Sequence, residues 1–311
     1  MKSFLGKLLI FVILLVAADV SVGWVSEALR MKAPSGRTVK FRYIMDEMNV
    51  QMLMMGSSRC NHHYDTALIS NGTGLTCYNT GDDGNGIIMS YGFYKAACER
   101  NIPRVVMCEL HAPFDCDVND NVRYLSNLRP FFFRAGIREI FEKVDSTEAI
   151  KCLSSLYRFN GKLMGLINDN LGGEPFIEGG YVPLKKTMLK AAQNAPAEAY
   201  VPKPVDEVKL YFLEALCKEC AANGTVLVFA RSPIYNGATK EEIAPAMAIA
   251  EKYGVPFMDY ANDVRFVRHP EFFADRGHMN QNGAEAYSRI FANDLKRILE
   301  VKNVLGAAAL D

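Results

Sequence analysis

The chain has 311 residues, half of them hydrophobic, with 35 basic and 35 acidic side chains and a formal net charge of zero. That is enough apolar material for one large α/β domain, or two smaller ones, with a sizeable core. The balanced charge argues against a nucleic-acid binder, which would carry a basic face, and the chain contains no internal repeat or low-complexity segment.

The N-terminus departs from this globular composition. Lys2 and Lys7 precede an unbroken apolar run, Leu8 to Ala18. Asp19 interrupts it, and apolar character resumes through Val20, Val22, Trp24 and Val25. The run fits the apolar part of a secretory signal. The longer stretch, 8–25, is just long enough to span a bilayer. No clean Ala-x-Ala cleavage site is present. The expectation is an uncleaved membrane anchor over 1–26 followed by a body over 27–311. A cleaved signal and a buried helix of a soluble protein are the alternatives. Arg30, Lys32, Arg37, Lys40 and Arg42 follow the segment and outnumber the lysines before it. The positive-inside rule alone would therefore put the body in the cytoplasm.

The body alternates apolar runs with helical patterns. Val50 to Met55 is a short apolar run ending at Gly56. Ile87 to Arg100 reads as a helix, and Arg104 to Leu110 is a second apolar run. Val205 to Asn223 reads as a helix stopped by Asn223-Gly224, and Thr225 to Ala230 is a third run. Lys240 to Tyr253 is a helix ending at Gly254. Val255 to Asp259 is a short fourth run, and Gly283 to Val301 a closing helix. Runs that are apolar on both faces belong to a parallel sheet covered on both sides. The expected fold class is α/β, a doubly wound, flavodoxin-like parallel sheet with helices on both faces. Ligands of such sheets gather at the carboxyl ends of the strands, where Ser58 follows the first run.

Between them, residues 111–204 are long for a connection in this fold. The segment mixes aromatic and basic residues (Arg129 to Arg134, Tyr157 to Asn160) with glycine-rich stretches near Gly172 and Gly179. A mid-chain lid over the strand ends and a helical packing subdomain are both open readings. The eight cysteines read as buried or half-buried thiols. Cys217 and Cys220 have CxxC spacing, but they lie in an amphipathic helix and no second CxxC completes a zinc site.

Chemistry concentrates in two places. Gly56-Ser57-Ser58-Arg59 follows the first run, and Asp275-Arg276-Gly277-His278-Met279-Asn280 precedes the last helix, with Gly283 beyond. A hydroxyl is a weak nucleophile at neutral pH. It needs an imidazole to take its proton and a carboxylate to hold that imidazole in the right tautomer. Ser58, His278 and Asp275 supply the three types. Each has a plainer reading, Ser58 or Asp275 as a helix cap and His278 as a surface residue.

In the order of these blocks the chain resembles the SGNH/GDSL hydrolase family, particularly its membrane-anchored bacterial branch, over residues 50–110 and 205–297. The resemblance implies Ser58 as nucleophile, with Ser57 where the family has aspartate, and Asp275 and His278 as its partners. It implies an oxyanion glycine five residues after Asn79, which ends a strand; that glycine is Gly84. The third block's asparagine is missing after Glu109, leaving His111 or Asn85 as the substitute donor. Asn280 and Gly283 agree with the family pattern. Arg59, His63 and Asn280 are the expected substrate-binding residues, although Arg59 could equally pair with Asp82 or Asp83. The His62-His63 pair lacks a third ligand, so no metal or cofactor is expected, and His269 before Pro270 reads as structural. By resemblance the activity is that of a serine esterase or O-acyltransferase acting on small or glycan O-acyl esters at the cell envelope, and the resemblance places the body on the exported, extracytoplasmic side, against the positive-inside count. A non-catalytic domain that binds a glycan or a partner and an anchored assembly or transport accessory protein are the rival classes.

Overall fold

The computed structural model describes residues 2–194 and 201–305. They divide into two compact units, Met1–Glu47 with Leu125–Phe176, and Met48–Tyr124 with Ile177–Asp311. The helices used below are, in chain order, α1 (Lys2–Lys32), α2 (Gly36–Arg42), α3 (Ser58–His63), α4 (Thr66–Thr73), α5 (Ile87–Cys98), α6 (Ser146–Lys151), α7 (Ser155–Arg158), α8 (Leu163–Leu171), α9 (Glu207–Ala222), α10 (Ala244–Tyr253) and α11 (Gln281–Val301).

The second unit is built on a five-stranded sheet of β1 (Met52–Met55), β2 (Cys77–Asn79), β3 (Val105–Glu109), β4 (Val226–Arg231) and β5 (Phe257–Asp259). Its order is β2-β1-β3-β4-β5, and every neighbouring pair is parallel. The four apolar runs read from the sequence each coincide with a strand, β4 running one residue past its run to Arg231. The fifth, β2, is a three-residue edge ending at Asn79. This is the strand order of a doubly wound α/β sheet. Chain direction reverses between β2 and β3, so right-handed crossovers send the intervening helices to opposite faces.

Side-chain alternation along the strands explains why both faces had to be apolar. Met52, Met54, Val105, Met107, Val228 and Ala230 share one core with Ile69 of α4 and Tyr287, Phe291 and Leu295 of α11. The residues between them, such as Leu53, Val106 and Phe229, are buried as well. On their side α9 packs on β4 and against both α5 and α10. Local chemistry sets the helix ends. Asp65 accepts from the N–H groups of Ala67 and Leu68 at the start of α4, Asp206 does the same for Val208 and Lys209 of α9, and left-handed Gly74 and Gly254 stop α4 and α10. Such caps contribute about 1 kcal/mol each. All eight cysteines are free thiols, buried or half-buried, and burial pushes the Cys217 thiol up to about 12.

The first unit is helical. Within α1, Ser3–Lys32 is long and apolar enough to cross a membrane. Its two halves differ. Residues 3–18 are exposed throughout, whereas Gly23, Ser26 and Arg30 are buried. The buried half packs on α7, α8 and α2. The Asp19 carboxylate accepts from Ser154 Oγ at 2.6 Å and from the N–H groups of Ser155 and Leu156, both at 2.9 Å. Gly23 lets α7 approach, since a Cβ there would lie 2.5 Å from Ser155 Oγ. Arg30 bonds Glu27 and Asp46, and Arg134 bonds Asp46 as well.

This division differs from the expected boundaries of 1–26 and 27–311. The stretch 111–204 is not one insertion. Its central part, Leu125–Phe176, forms a unit with α1 because the second half of that helix carries a buried face that the sequence disguises as apolar filler. Residues 111–124 and the described parts of 177–204 remain with the sheet. There the chain around Gly179 to Val182 bonds β2 and α3, with Asn79 N–H donating to Gly179 O at 2.8 Å and Val182 N–H to Asn61 O at 3.0 Å.

Candidate active site

β1 delivers the chain to a turn that only glycine fits. Gly56 has φ +150°, and a Cβ on it would stand 2.7 Å from the carbonyl oxygen of Glu109. The turn swings Ser57 and Ser58 directly into α3. The first N–H groups of a helix have no partner inside it. Ser57, at the cap position, does not supply one, and its buried hydroxyl has no partner among the described residues. Ser58 is therefore half-buried at an uncapped helix start.

Three side chains meet at this point. Ser58 Oγ lies 2.7 Å from His278 Nε2, across 220 positions of sequence. His278 Nδ1 lies 2.9 Å from Asp275 Oδ1. The same oxygen accepts from the N–H groups of Gly277 at 2.9 Å and His278 at 3.0 Å, so the Asp275–His278 turn fixes its own carboxylate. Burial pulls the Asp275 carboxyl up. The hydrogen bond and charge of His278, the Gly277 N–H and Lys186 outweigh that and hold it at about 2. An ionised carboxylate only accepts, so His278 Nδ1 carries the proton and Nε2 is left to accept from Ser58. Ser58, His278 and Asp275 thus come together as expected from their residue types.

Behind this line sits a buried polar chain. His63 Nε2 accepts the Met279 N–H at 2.9 Å, and its Nδ1 donates to Ser232 Oγ at 2.8 Å. Ser232 Oγ donates to Glu109 at 2.8 Å, the Ser232 N–H bonds the same carboxylate, and Tyr64 OH donates to it too. Tyr287 OH donates to Tyr64 OH at 3.1 Å. Burial drives the His63 imidazole far down, which agrees with its acceptor role toward Met279. Burial pushes Glu109 up, opposed by its bonds to Tyr64 and Ser232 and by the charge of Arg59. The chain pins the backbone next to His278 to the ends of β3 and β4. Sequence reasoning assigned no role to Glu109 or Ser232. The available signal was an ionisable residue closing an otherwise apolar strand.

Several expected contacts fall elsewhere. His63, expected at the substrate, is fully buried with both ring nitrogens engaged. Asn280 is 3% exposed and serves as the cap of α11, accepting from the Gly283 N–H at 3.0 Å and donating to Glu271 O at 2.8 Å. It is unavailable to a substrate for that reason. Asn85 bonds Asp82 through its amide, so its N–H groups do not face an oxyanion. Arg59 pairs with neither Asp82 nor Asp83. Asp83 instead takes Asn61 Nδ2 at 2.8 Å and His62 Nε2 at 3.2 Å, bonds that hold its carboxyl at about 2.

Three expected residues keep free donors. Gly84, at φ +73°, accepts from Arg123 through its carbonyl while its own N–H has no partner among the described residues. His111 has a buried Nδ1 without a partner among the described residues, and burial together with the charges of Arg59 and His278 drives its imidazole far down, to the neutral form. Arg59 is 8% exposed and forms no hydrogen bond or ion pair with the described residues. Burial pulls its guanidinium down and the Glu109 charge pulls it back up.

No model of a known protein family matches the chain, and no curated protein matches it.

Proposed function

We propose that the chain is a serine esterase or O-acyltransferase of the SGNH type, held at a membrane by α1 and acting on O-acyl, by preference O-acetyl, esters of cell-envelope carbohydrate. The observation that carries this reading is the Ser58–His278–Asp275 relay, in which each proton has one consistent place. Ser58 Oγ attacks the ester carbonyl as His278 Nε2 takes its proton, and Asp275 stabilises the imidazolium. The N–H groups of Ser58 and Gly84 and the neutral His111 ring are the donors for the oxyanion. His278 then returns the proton to the leaving alkoxide. Water or a second alcohol, deprotonated by His278, releases the acyl group from Ser58.

The anchor reading rests on the second half of α1. Removal of α1 as a cleaved signal would take Asp19, Gly23 and Ser26 out of the packing of the first unit. Full-length protein in detergent is expected to hydrolyse p-nitrophenyl acetate and to be labelled on Ser58 by a fluorophosphonate. A second reading, a binding domain of the same fold, is favoured by the tie between Asn85 and Asp82, which removes a side-chain amide from the oxyanion site. Absence of both turnover and labelling in folded protein would decide for it.

Arg59 bears on substrate choice. A buried guanidinium that feels the Glu109 charge but has no hydrogen-bond or ion-pair partner among the described residues is costly unless an anion arrives to pair with it. The preferred ester therefore carries a carboxylate or phosphate. Arg59→Met is expected to raise KM for an anionic ester by about 10- to 100-fold, the equivalent of one charged hydrogen bond, and to leave a neutral ester nearly unchanged. Equal losses on both esters would make Arg59 a residue of the fold.

A further inference from the structure

We propose that α6 and α7 of the helical unit lie in the bilayer surface beside α1, as an apolar collar inserted at the boundary between headgroups and acyl chains. This rests on the reading of α1 as a membrane anchor. A span needs about 20 apolar residues. Any span that uses the apolar stretch 8–25 includes Asp19. Asp19 is bonded to Ser154, Ser155 and Leu156, so the start of α7 is fixed at a level of α1 that belongs to the span.

The side chains at that level suit lipid. Ile150, Leu153 and Leu156 are 69%, 64% and 52% exposed, and Val16 and Val20 of α1 are 57% and 43% exposed. Phe133, 65% exposed, lies under the Arg158 guanidinium, which is 4.5 Å from the ring centroid. An arginine over an aromatic ring, among exposed leucines, is the composition of a membrane interface. The backbone is also prepared for a medium poor in water. Asp145 caps α6 through the Thr147 N–H, Ser154 caps α7 through the Tyr157 N–H, and Asp19 takes the remaining N–H groups of that turn. Unsatisfied N–H groups would be costly there. The charge on Asp19, expensive within a span, is met by three donors. The bonds of Asp19 to the start of α7 tie this apolar face to the end of the exposed run 3–18, which commits its partner to lipid.

The sole tryptophan, Trp24, makes the test direct. In full-length Trp24→Phe protein, single tryptophans are placed at Phe11, Leu153, Leu156 and, as an aqueous control, Val264, which is 82% exposed. Each protein is reconstituted in phosphatidylcholine nanodiscs with and without brominated acyl chains. The expected result is blue-shifted emission and strong loss of fluorescence to bromine for Leu153→Trp and Leu156→Trp, and loss to aqueous iodide only for Val264→Trp. Quenching of Phe11→Trp by bromine, with both leucine probes quenched by iodide as fully as the control, would overturn the collar and leave the anchor standing. Failure of Phe11→Trp itself to respond to bromine would remove the anchor and the collar together. All substituted positions are exposed, so folding is retained, as circular dichroism would verify.

Discussion

Ser58→Ala is expected to remove at least about 10³-fold from kcat on p-nitrophenyl acetate, and His278→Ala a similar amount. The double variant should be no worse than either single one. The reason is that the two side chains perform one proton transfer. Ser58 Oγ sits 2.7 Å from His278 Nε2, and without the imidazole the hydroxyl stays protonated and unreactive. Without the hydroxyl, the imidazole has nothing to activate except water. Neither change should unfold the protein. Ser58 is half-buried at a helix start that its hydroxyl does not cap, and the alanine fits the same space. Loss of the His278 ring leaves Asp275 with two backbone donors, and the missing hydrogen bond, between side chains 30% and 43% exposed, is worth about 1 kcal/mol. The measurement is steady-state hydrolysis by full-length protein in detergent, with thermal unfolding in parallel. Turnover by Ser58→Ala equal to that of the native chain would refute the proposed nucleophile.

The parts of this site that were legible in the sequence are those governed by local rules. Gly56 closing an apolar run announces a strand that must turn, and Asp275 three residues before His278 is the spacing at which one carboxylate can accept both backbone N–H groups and the ring. The helix stop at Gly254 follows from the same kind of rule. Contacts across long separations were not legible. Arg59 looked free to reach Asp82 or Asp83, but Asn61 and His62, on another side of the same short helix, claim Asp83. The adjacent His62 and His63 looked like a pair. Successive helical residues point about 100° apart, so His62 meets Val182 and Asp83 while His63 enters the core. Asp19 read as a flaw in an apolar run because its partners lie 135 to 137 positions away. Asn280 caps the helix that begins just after it, two residues ahead of the expected start at Gly283, because its side chain accepts the Gly283 N–H.

Asp275→Asn is expected to be a mild variant, and Asp275→Ala a severe one. In a triad where the asparagine amide turns toward the imidazole, the ring is held in the wrong tautomer and activity collapses by about 10⁴-fold. Here the three donors Gly277 N–H, His278 N–H and His278 Nδ1–H converge on one oxygen, Oδ1, while Oδ2 faces Lys186 Nζ at 3.8 Å. An asparagine satisfies all three donors by keeping its carbonyl at the Oδ1 position. Turning its NH2 there would set donor against donor at two backbone groups. The tautomer is thereby preserved, and what is lost is the negative charge opposite the imidazolium, an effect of roughly 10- to 100-fold for a charged hydrogen bond. Alanine removes orientation as well as charge, and should cost about 10³-fold or more. Because the carboxyl is held at about 2, it stays ionised at any pH above about 4, near the ordinary aspartate value. Its stabilising contribution is then complete, and it fades only as pH falls toward 2. The Asp275 carboxyl should therefore add no ionisation of its own to the kcat profile of the native chain between pH 5 and pH 9, which a pH series of kcat checks. Equal, severe losses in the asparagine and alanine variants would show that the amide does turn, and that the backbone donors are too weak to hold it.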